Sequence, residues 1–143
     1  MISDTHGLLR PEAVQALDGA ELILHAGDVG KPEVLDELRR IAPVIAVRGN
    51  VDHGPWAEAL PETVTVEPGI FMVHDVKSAR IPAGVRAVVS GHSHKALVEE
   101  RGGVLYVNPG AAGPRRFRLP VTVARLWVAD WRVEIVELAC KQD

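Results

Sequence analysis

The first half of the chain alternates between short apolar runs and segments with helical spacing. The two helical segments place their apolar side chains on one face, and each begins with a proline, which suits the first turn of a helix. The apolar runs between and around them are typical of buried strands. In chain order we predict a strand at 1–3, a helix at 11–17, a strand at 22–24, a helix at 32–41 and a strand at 44–47. This βαβαβ order predicts a parallel sheet with helices packed against it.

The second half of the chain contains mostly strand patterns separated by turn residues. The predicted elements are a hairpin formed by 63–67 and 70–73, a buried strand at 85–89, a strand at 104–107, and a long hairpin formed by 121–128 and 131–138. A helix-covered sheet followed by a second, hairpin-rich sheet predicts a layered α/β sandwich.

Length and composition favour one folded domain covering 1–143. The chain has 143 residues, of which 47% are hydrophobic, and this is enough to bury a core. The net charge of −3 and the absence of a basic run argue against an extended nucleic-acid surface. A single cysteine, no leader-like segment and no apolar run of about 20 residues predict a cytoplasmic protein without a membrane span.

Polar residues of the kinds that bind metals follow five of the predicted strands. Because ligands gather beyond the carboxyl ends of strands in α/β sheets, we expect these side chains to meet at one rim. Taken one at a time, each has a simpler interpretation as a turn residue or an ordinary histidine. Their order, each after an apolar run, predicts metal binding by seven residues: Asp4, His6, Asp28, Asn50, His74, His92 and His94.

The motifs formed by these residues resemble those of the calcineurin-like metallophosphoesterases. The matching segments are Ser-Asp-Thr-His-Gly at 3–7, Gly-Asp-Val at 27–29, Gly-Asn-Val-Asp at 49–52, Val-His-Asp at 73–75, Gly-His-Ser-His at 91–94 and Asn-Pro-Gly at 108–110. The chain is most similar to the small bacterial and archaeal phosphodiesterase branch, which also resembles the scaffold subunit of the eukaryotic retromer complex.

The resemblance implies a fold and a ligand set. The fold would be α/β, the four-layer α/β/β/α sandwich of the metallo-dependent phosphatase type. Two ions would be bound, and Asp28 would bridge them. The remaining ligands would be Asp4, His6 and His94 for one ion, and Asn50, His74 and His92 for the other.

Imidazole and oxygen ligands favour divalent transition metals over calcium or magnesium. We expect two such ions, with manganese preferred and nickel, cobalt, iron or zinc as alternatives. The expected reaction is in-line attack on a phosphate ester by a metal-bridging hydroxide, in which Asp28 and Asn50 act through the metals.

One departure from the family pattern concerns proton donation. Many relatives carry a histidine directly after the motif asparagine, where this chain has Val51, which has no proton to donate. His53 is the alternative donor, although an exposed loop histidine is its simpler interpretation. Activated aryl esters and diesters are therefore the expected substrates.

Other polar residues near the motifs have two interpretations each. Arg115 and Arg116 would grip the substrate phosphate, or lie in a solvated loop. His25 would orient a ligand or lie in the core, while Asp52 and Asp75 would orient ligands or cap loops. Asn108 is expected to fix a turn near the site.

Two functions remain open at this stage. The first is a metal-dependent phosphodiesterase that acts on a small phosphate ester, and the intact set of seven ligands favours it. The alternative is a metal-binding interaction scaffold with little activity, which Val51 keeps open. The sequence does not identify the physiological substrate or the native metal, and it leaves a homo-oligomer open.

Overall fold

The computed structural model describes residues 1–116 and 118–140. The described helices are α1 (Pro11–Ala16), α2 (Pro32–Arg39) and α3 (Pro55–Glu58), and one 3₁₀ turn covers Val76–Ser78. The described strands are β1 (Ile23–His25), β2 (Val44–Ala46), β3 (Thr63–Val66), β4 (Ile70–Val73), β5 (Ala87–Val89), β6 (Leu97–Arg101), β7 (Val104–Asn108), β8 (Thr122–Trp127) and β9 (Arg132–Glu137).

One layer of strands forms around the predicted βαβαβ segment. β1 and β2 pair in parallel, and Ile2 forms a single parallel bridge to His25. Met1 and Ala124 exchange two backbone hydrogen bonds, which attach the antiparallel β8–β9 hairpin to the other side of residues 1 and 2. The parallel arrangement is confirmed, but the strand predicted at 1–3 is reduced to the bridge at Ile2.

The second sheet has five strands in the order β3-β4-β5-β7-β6. Its three central strands are parallel, and β3 and β6 pair antiparallel at the edges. The hairpin predicted at 63–73 is confirmed. The sequence pattern missed β6, because all five of its residues are exposed and the apolar-in, polar-out alternation is absent.

Alternation along the strands distributes side chains among three cores. Ile23 faces the cluster under α1 and α2, whereas its neighbour Leu24 faces the cluster between the two sheets. In the second sheet Met72 also points between the sheets, and Phe71 points to the outer cluster beside the 3₁₀ turn. The layer order of the predicted α/β/β/α sandwich is confirmed, and its fourth layer is thin because it consists of the 3₁₀ turn and the residues that follow it.

Several element boundaries differ from the sequence prediction. α2 ends at Arg39, two residues earlier than predicted, and β5 begins at Ala87 instead of residue 85. α3 was not predicted, because its four residues are too few to show a helical period. Within the described residues, no helix has the length and apolar character needed to cross a membrane.

Candidate metal centre

The seven predicted ligands lie on five loops at one rim of the two sheets. Three loops follow Ile2, β1 and β2 in the first sheet, and two follow β4 and β5 in the second. Because both sheets place the carboxyl ends of these parallel strands on the same side, the loops meet above the interface between the sheets. Asp4, Asp28, His74 and His94 are buried there, whereas Asn50 and His92 are exposed.

Three ligand atoms form a compact triangle on one side of the rim. Nε2 of His6 lies 3.3 Å from Nε2 of His94, and Oδ1 of Asp4 lies 3.7 Å and 3.4 Å from these two nitrogens. A point equidistant from all three atoms is about 2.0 Å from each, which matches ordinary metal–nitrogen and metal–oxygen bond lengths. Oδ1 of Asp4 is buried and has no hydrogen-bond partner among the described residues. The triangle therefore fits a single divalent ion.

Asp28 lies between this triangle and the next histidine. Its Oδ2 is 3.6 Å from Nε2 of His6 and 3.2 Å from Nε2 of His74, and the backbone N–H of Val51 donates to its Oδ1 at 3.1 Å. Burial raises the pKa of this carboxyl, but the interactions with His74, Val51 and His6 outweigh burial and lower the pKa to about 2. Asp28 is thus an anion that contacts one histidine from each predicted ligand group.

A hydrogen bond of the His74 ring determines which of its two nitrogens has a lone pair that can bind a metal ion. Its Nδ1 lies 2.8 Å from the carbonyl oxygen of Ala26, so Nδ1 must carry the proton and Nε2 has the lone pair in the neutral ring. Nε2 is buried without a well-aligned hydrogen bond, and it faces Asp28 at 3.2 Å and Oδ1 of Asp4 at 3.9 Å. A nitrogen lone pair and two carboxylates repel each other when buried together, so a positive charge is required between Nε2 of His74 and these carboxylates.

In the metal-free protein the neighbouring carboxylates favour a proton on the His74 ring, which would supply that charge. Burial of the ring opposes protonation of His74, but Asp28, Ala26 and Asp4 together outweigh burial and raise its pKa. A divalent ion would occupy the same place with the ring neutral, so the residues present fit a metal site.

Asn50 and His92 complete the second group. Oδ1 of Asn50 lies 3.2 Å from Nδ1 of His92, and the rings of His92 and His74 meet edge to face with centroids 5.2 Å apart. The backbone N–H of His92 also donates to Oδ2 of Asp4 at 3.1 Å. This bond links the two predicted ligand groups.

The backbone at the rim is strained. A left-handed φ is uncommon for residues other than glycine, and such residues cluster at functional sites. Five of the six described non-glycine residues with positive φ are predicted ligands, the exception being Trp131: Asp4 (54°), His6 (46°), Asp28 (54°), His92 (72°) and His94 (64°). This strain was not predictable from the amino-acid sequence, because none of these residues is a glycine.

Two glycines allow the loops to approach each other. A Cβ at Gly49 would collide with Oδ1 and the backbone nitrogen of Asp28. A Cβ at Gly91 would collide with the Ser3 hydroxyl and with Oδ2 of Asp4. The glycines of the Gly-Asn and Gly-His motifs therefore give the carboxylates space.

His25 connects the loop that carries Asp4 with the loop that carries Asp28. It is fully buried, and the Gly27 N–H donates to its Nδ1 at 3.1 Å, so its other nitrogen, Nε2, carries the proton and donates to the Thr5 hydroxyl at 3.0 Å. Thr5 in turn donates to the Val29 carbonyl at 2.9 Å. Burial, only partly offset by Asp4 and Asp52, lowers the pKa of His25 from 6.5 to about 4. His25 is therefore a neutral core histidine that supports the loops carrying Asp4 and Asp28.

The carboxylate of Asp52 caps two loops. Loop capping was one of the two roles expected for this residue from the sequence. It accepts backbone hydrogen bonds from Val29, Gly30 and Gly49. These bonds hold the loop of Asp28 against the loop of Asn50.

Asp75 and Asn108 support the second sheet's loops. Asp75 accepts from the Lys77 N–H in the 3₁₀ turn, and its Oδ2 lies 3.9 Å from Nε2 of His92. Asn108 donates to the Gly91 carbonyl and the Ser93 hydroxyl at 3.0 Å and 3.1 Å. The predicted turn-fixing role of Asn108 agrees with these bonds.

The remaining predicted site residues lie around the ligand cluster. His53 lines a cleft together with Asn50, His74 and His92. The His94 pKa is lowered, first by burial and then, against the opposing charge of Asp4, by the positive charge of Arg116. Arg116 is exposed, while the neighbouring Arg115 is half-buried.

Comparisons with known proteins identify the family of the chain. The family model of the calcineurin-like phosphoesterase superfamily domain matches residues 1–130. A probable metallophosphoesterase of Methanothermobacter thermautotrophicus is 35% identical over 145 aligned positions, covering 88% of this chain and 84% of the relative.

Two solved structures share the fold. An archaeal phosphodiesterase has a TM-score of 0.77 at 23% identity, covering 96% of this chain and 97% of that one. Vps29 of Entamoeba histolytica in complex with Zn²⁺ has a TM-score of 0.70 at 24% identity, with 96% of each chain covered. With the family match extending over nearly the whole chain, this protein belongs to the calcineurin-like phosphoesterase superfamily.

Proposed function

We propose that this chain is a dinuclear metal-dependent phosphodiesterase in which Asp28 bridges two divalent ions. Membership of the family makes the chain a phosphoester hydrolase, and the dinuclear centre is the further step. The observation that carries it is the position of Oδ2 of Asp28, 3.6 Å from His6 and 3.2 Å from His74. The one carboxylate oxygen thereby faces a nitrogen from each ligand group.

Each ion takes ligands from several loops. One ion would be held by Asp4, His6 and His94, and the other by Asn50, His74 and His92. Mixed imidazole and oxygen ligands suit manganese first, with nickel, cobalt, iron or zinc as alternatives. When bound, such a pair of ions generates a hydroxide nucleophile near neutral pH and polarises the phosphoryl oxygens for in-line displacement.

The protein's own charges favour an anionic substrate at this centre. Asp4 and Asp28 contribute two negative charges against the four positive charges of two divalent ions, and Asn50 is neutral, so a net positive charge remains for the phosphate. Arg116 adds positive charge on the His94 side, where it would contact a phosphoryl oxygen. Arg115 is the second candidate for this contact.

The choice of substrate depends on whether the protein can donate a proton to the leaving group. Simple alkyl monoesters need such a proton more than aryl esters and diesters do. Val51 lies beside Asn50 and is 38% exposed, but its side chain has no proton to donate. His53 lines the same cleft as Asn50 and His92 and is the candidate donor on that loop. Aryl esters and diesters, whose leaving groups need little protonation, are therefore the favoured substrates.

Val51 also favours a second candidate function. A chain that binds metal but lacks an efficient acid would serve as an interaction scaffold of the same fold. The two candidates differ in turnover by the metal-loaded protein.

The test is a panel of metals and substrates. The purified protein is stripped with a chelator, reloaded separately with manganese, nickel, cobalt, zinc or magnesium, and assayed on bis(p-nitrophenyl) phosphate and p-nitrophenyl phosphate. We expect two ions per chain by elemental analysis and faster turnover of the diester. Asp28→Asn should lose the second ion and nearly all activity, whereas Asp18→Asn, which changes an exposed carboxylate just after α1, should retain both. Full activity in Asp28→Asn would refute the bridge, and two bound ions without turnover would favour the scaffold.

A further inference from the structure

Another cleft lies at the opposite end of the first sheet from the metal centre. The ligand loops follow the carboxyl ends of the strands, whereas this cleft, of about 520 Å³, lies beside the amino-terminal end of β1 and the second half of β8. Residues 1 and 2 run between these two strands, and Met1 lines the cleft. The cleft therefore continues the line of residues 1 and 2 between β1 and β8, and we call it the strand slot.

The backbone on both sides of the strand slot offers hydrogen bonds to an added strand. The Ile2 N–H donates to the Leu24 carbonyl at 2.9 Å, and Ala124 exchanges two backbone bonds with Met1. Both backbone groups of a strand residue point to one side, and those of its neighbours point to the other. The Leu24 N–H and both backbone groups of Leu126, two residues beyond Ala124, therefore point into the slot. An extended peptide placed there would bond to β1 and to β8.

The side chains around the strand slot are mostly apolar. The side chains of an added strand would alternate between Leu17, in the cluster under α1, and Ile70, in the cluster between the sheets. Leu22 and Val128 also line the slot, and they are 37% and 45% exposed. An apolar segment would cover this exposed surface.

The two ends of the strand slot differ in charge. At the inner end the Met1 amino group donates to the Ala124 carbonyl at 2.7 Å, and an amino group has further N–H bonds to donate. At the outer end Glu21 directly precedes Leu22, and Glu67 also lines the slot. Both glutamates are exposed, and neither forms a salt bridge within residues 1–116 and 118–140. A segment with a carboxylate at its inner end and a basic residue at its outer end complements these charges.

We propose that the strand slot binds the carboxyl-terminal end of a partner protein as an added β-strand, parallel to β1 and antiparallel to β8. The last residues of the partner are apolar, its terminal carboxylate accepts from the Met1 amino group, and a basic residue upstream meets Glu21. The direction follows from the charges, because the reverse direction would place the partner's amino group against that of Met1. The inference does not depend on the metal centre or on the proposed function.

The experiment measures the binding of the peptide Lys-Val-Ile-Val, labelled with fluorescein at its amino terminus, by fluorescence anisotropy. We expect saturable binding to the wild-type protein, and we expect amidation of the peptide's carboxyl terminus to weaken it roughly tenfold. Methylation of the backbone nitrogen of either the isoleucine or the final valine should abolish binding, because a strand between two others uses every N–H. A strand on an open sheet edge would tolerate one of these two methyl groups.

Leu22 and Leu8 provide a matched pair of variants. Their exposed fractions are 37% and 39%, but of the two only Leu22 lines the strand slot. Leu22→Asn should weaken peptide binding roughly fivefold, because it places an amide against an apolar side chain, and Leu8→Asn should leave binding unchanged. Glu21→Gln should remove the advantage of Lys-Val-Ile-Val over Gln-Val-Ile-Val.

Three results with the wild-type protein would overturn the inference: no saturable binding, equal affinity for the acid and the amide, or tolerance of one N-methyl group. These comparisons vary only the peptide, so they do not depend on the folding of any variant. A wild-type dimer that Leu22→Asn dissociates, measured by analytical ultracentrifugation, would also overturn the inference, because a second copy of the chain would then occupy the strand slot.

Discussion

The buried His25 makes a quantitative prediction about stability and pH. Its pKa is about 4 in the folded protein and 6.5 when unfolded, so the unfolded chain binds more protons between these values. Stability must therefore fall as the pH falls through this window. Between pH 7 and pH 5 the loss attributable to His25 is about 2 kcal/mol, from the two pKa values and 1.36 kcal/mol per pKa unit.

The assay compares the wild type with His25→Asn by urea unfolding at pH 7, 6 and 5, with chelator present so that metal release does not contribute. Asparagine does not titrate and can still accept from the Gly27 N–H. We expect the variant to be less stable at pH 7, and the difference from wild type to shrink by about 2 kcal/mol at pH 5. Subtraction cancels the titration of all other groups.

Thr5→Val is the control for the hydrogen-bond network. It removes the hydroxyl that His25 contacts but leaves the histidine to titrate, so stability should fall while the dependence on pH remains. If the difference between wild type and His25→Asn stays constant from pH 7 to pH 5, the ring does not lose its proton on folding and the reasoning is refuted.

Three further outcomes are expected. Gly49→Ala would push the new methyl group against Asp28. Calorimetry should therefore show weaker metal binding, and the free energy of unfolding should fall by about 1–3 kcal/mol. Unchanged metal affinity would contradict the packing argument. Val51→His should raise kcat most for poor leaving groups, and an equal gain across a series of aryl esters would refute the missing donor. Dialysis at pH 4 should release metal, because protons compete for the ligand histidines; elemental analysis showing full retention would argue against imidazole ligands.

Much of the ligand set was predictable from order along the chain. Each of the seven residues follows an apolar run, and parallel strands bring their carboxyl ends to one edge, so local patterns were enough to place Asp4, Asp28 and His74 together. Strands such as β4 and β5 were also predictable, because both of their faces are covered and their sequences are continuously apolar.

The sequence by itself determined the layers, the loops and the residue types at the rim, because these depend on local hydrophobic periodicity and on the short reach of each turn. Only the tertiary structure decided the distances between ligand atoms, the left-handed backbone at Asp28 and His92, and the neutral state of His25. Those properties arise when loops from two sheets are packed against each other and water is excluded. The cleft beside Asn50 is a further example, since β3, β4 and the residues after the 3₁₀ turn form its walls only once the second sheet has assembled.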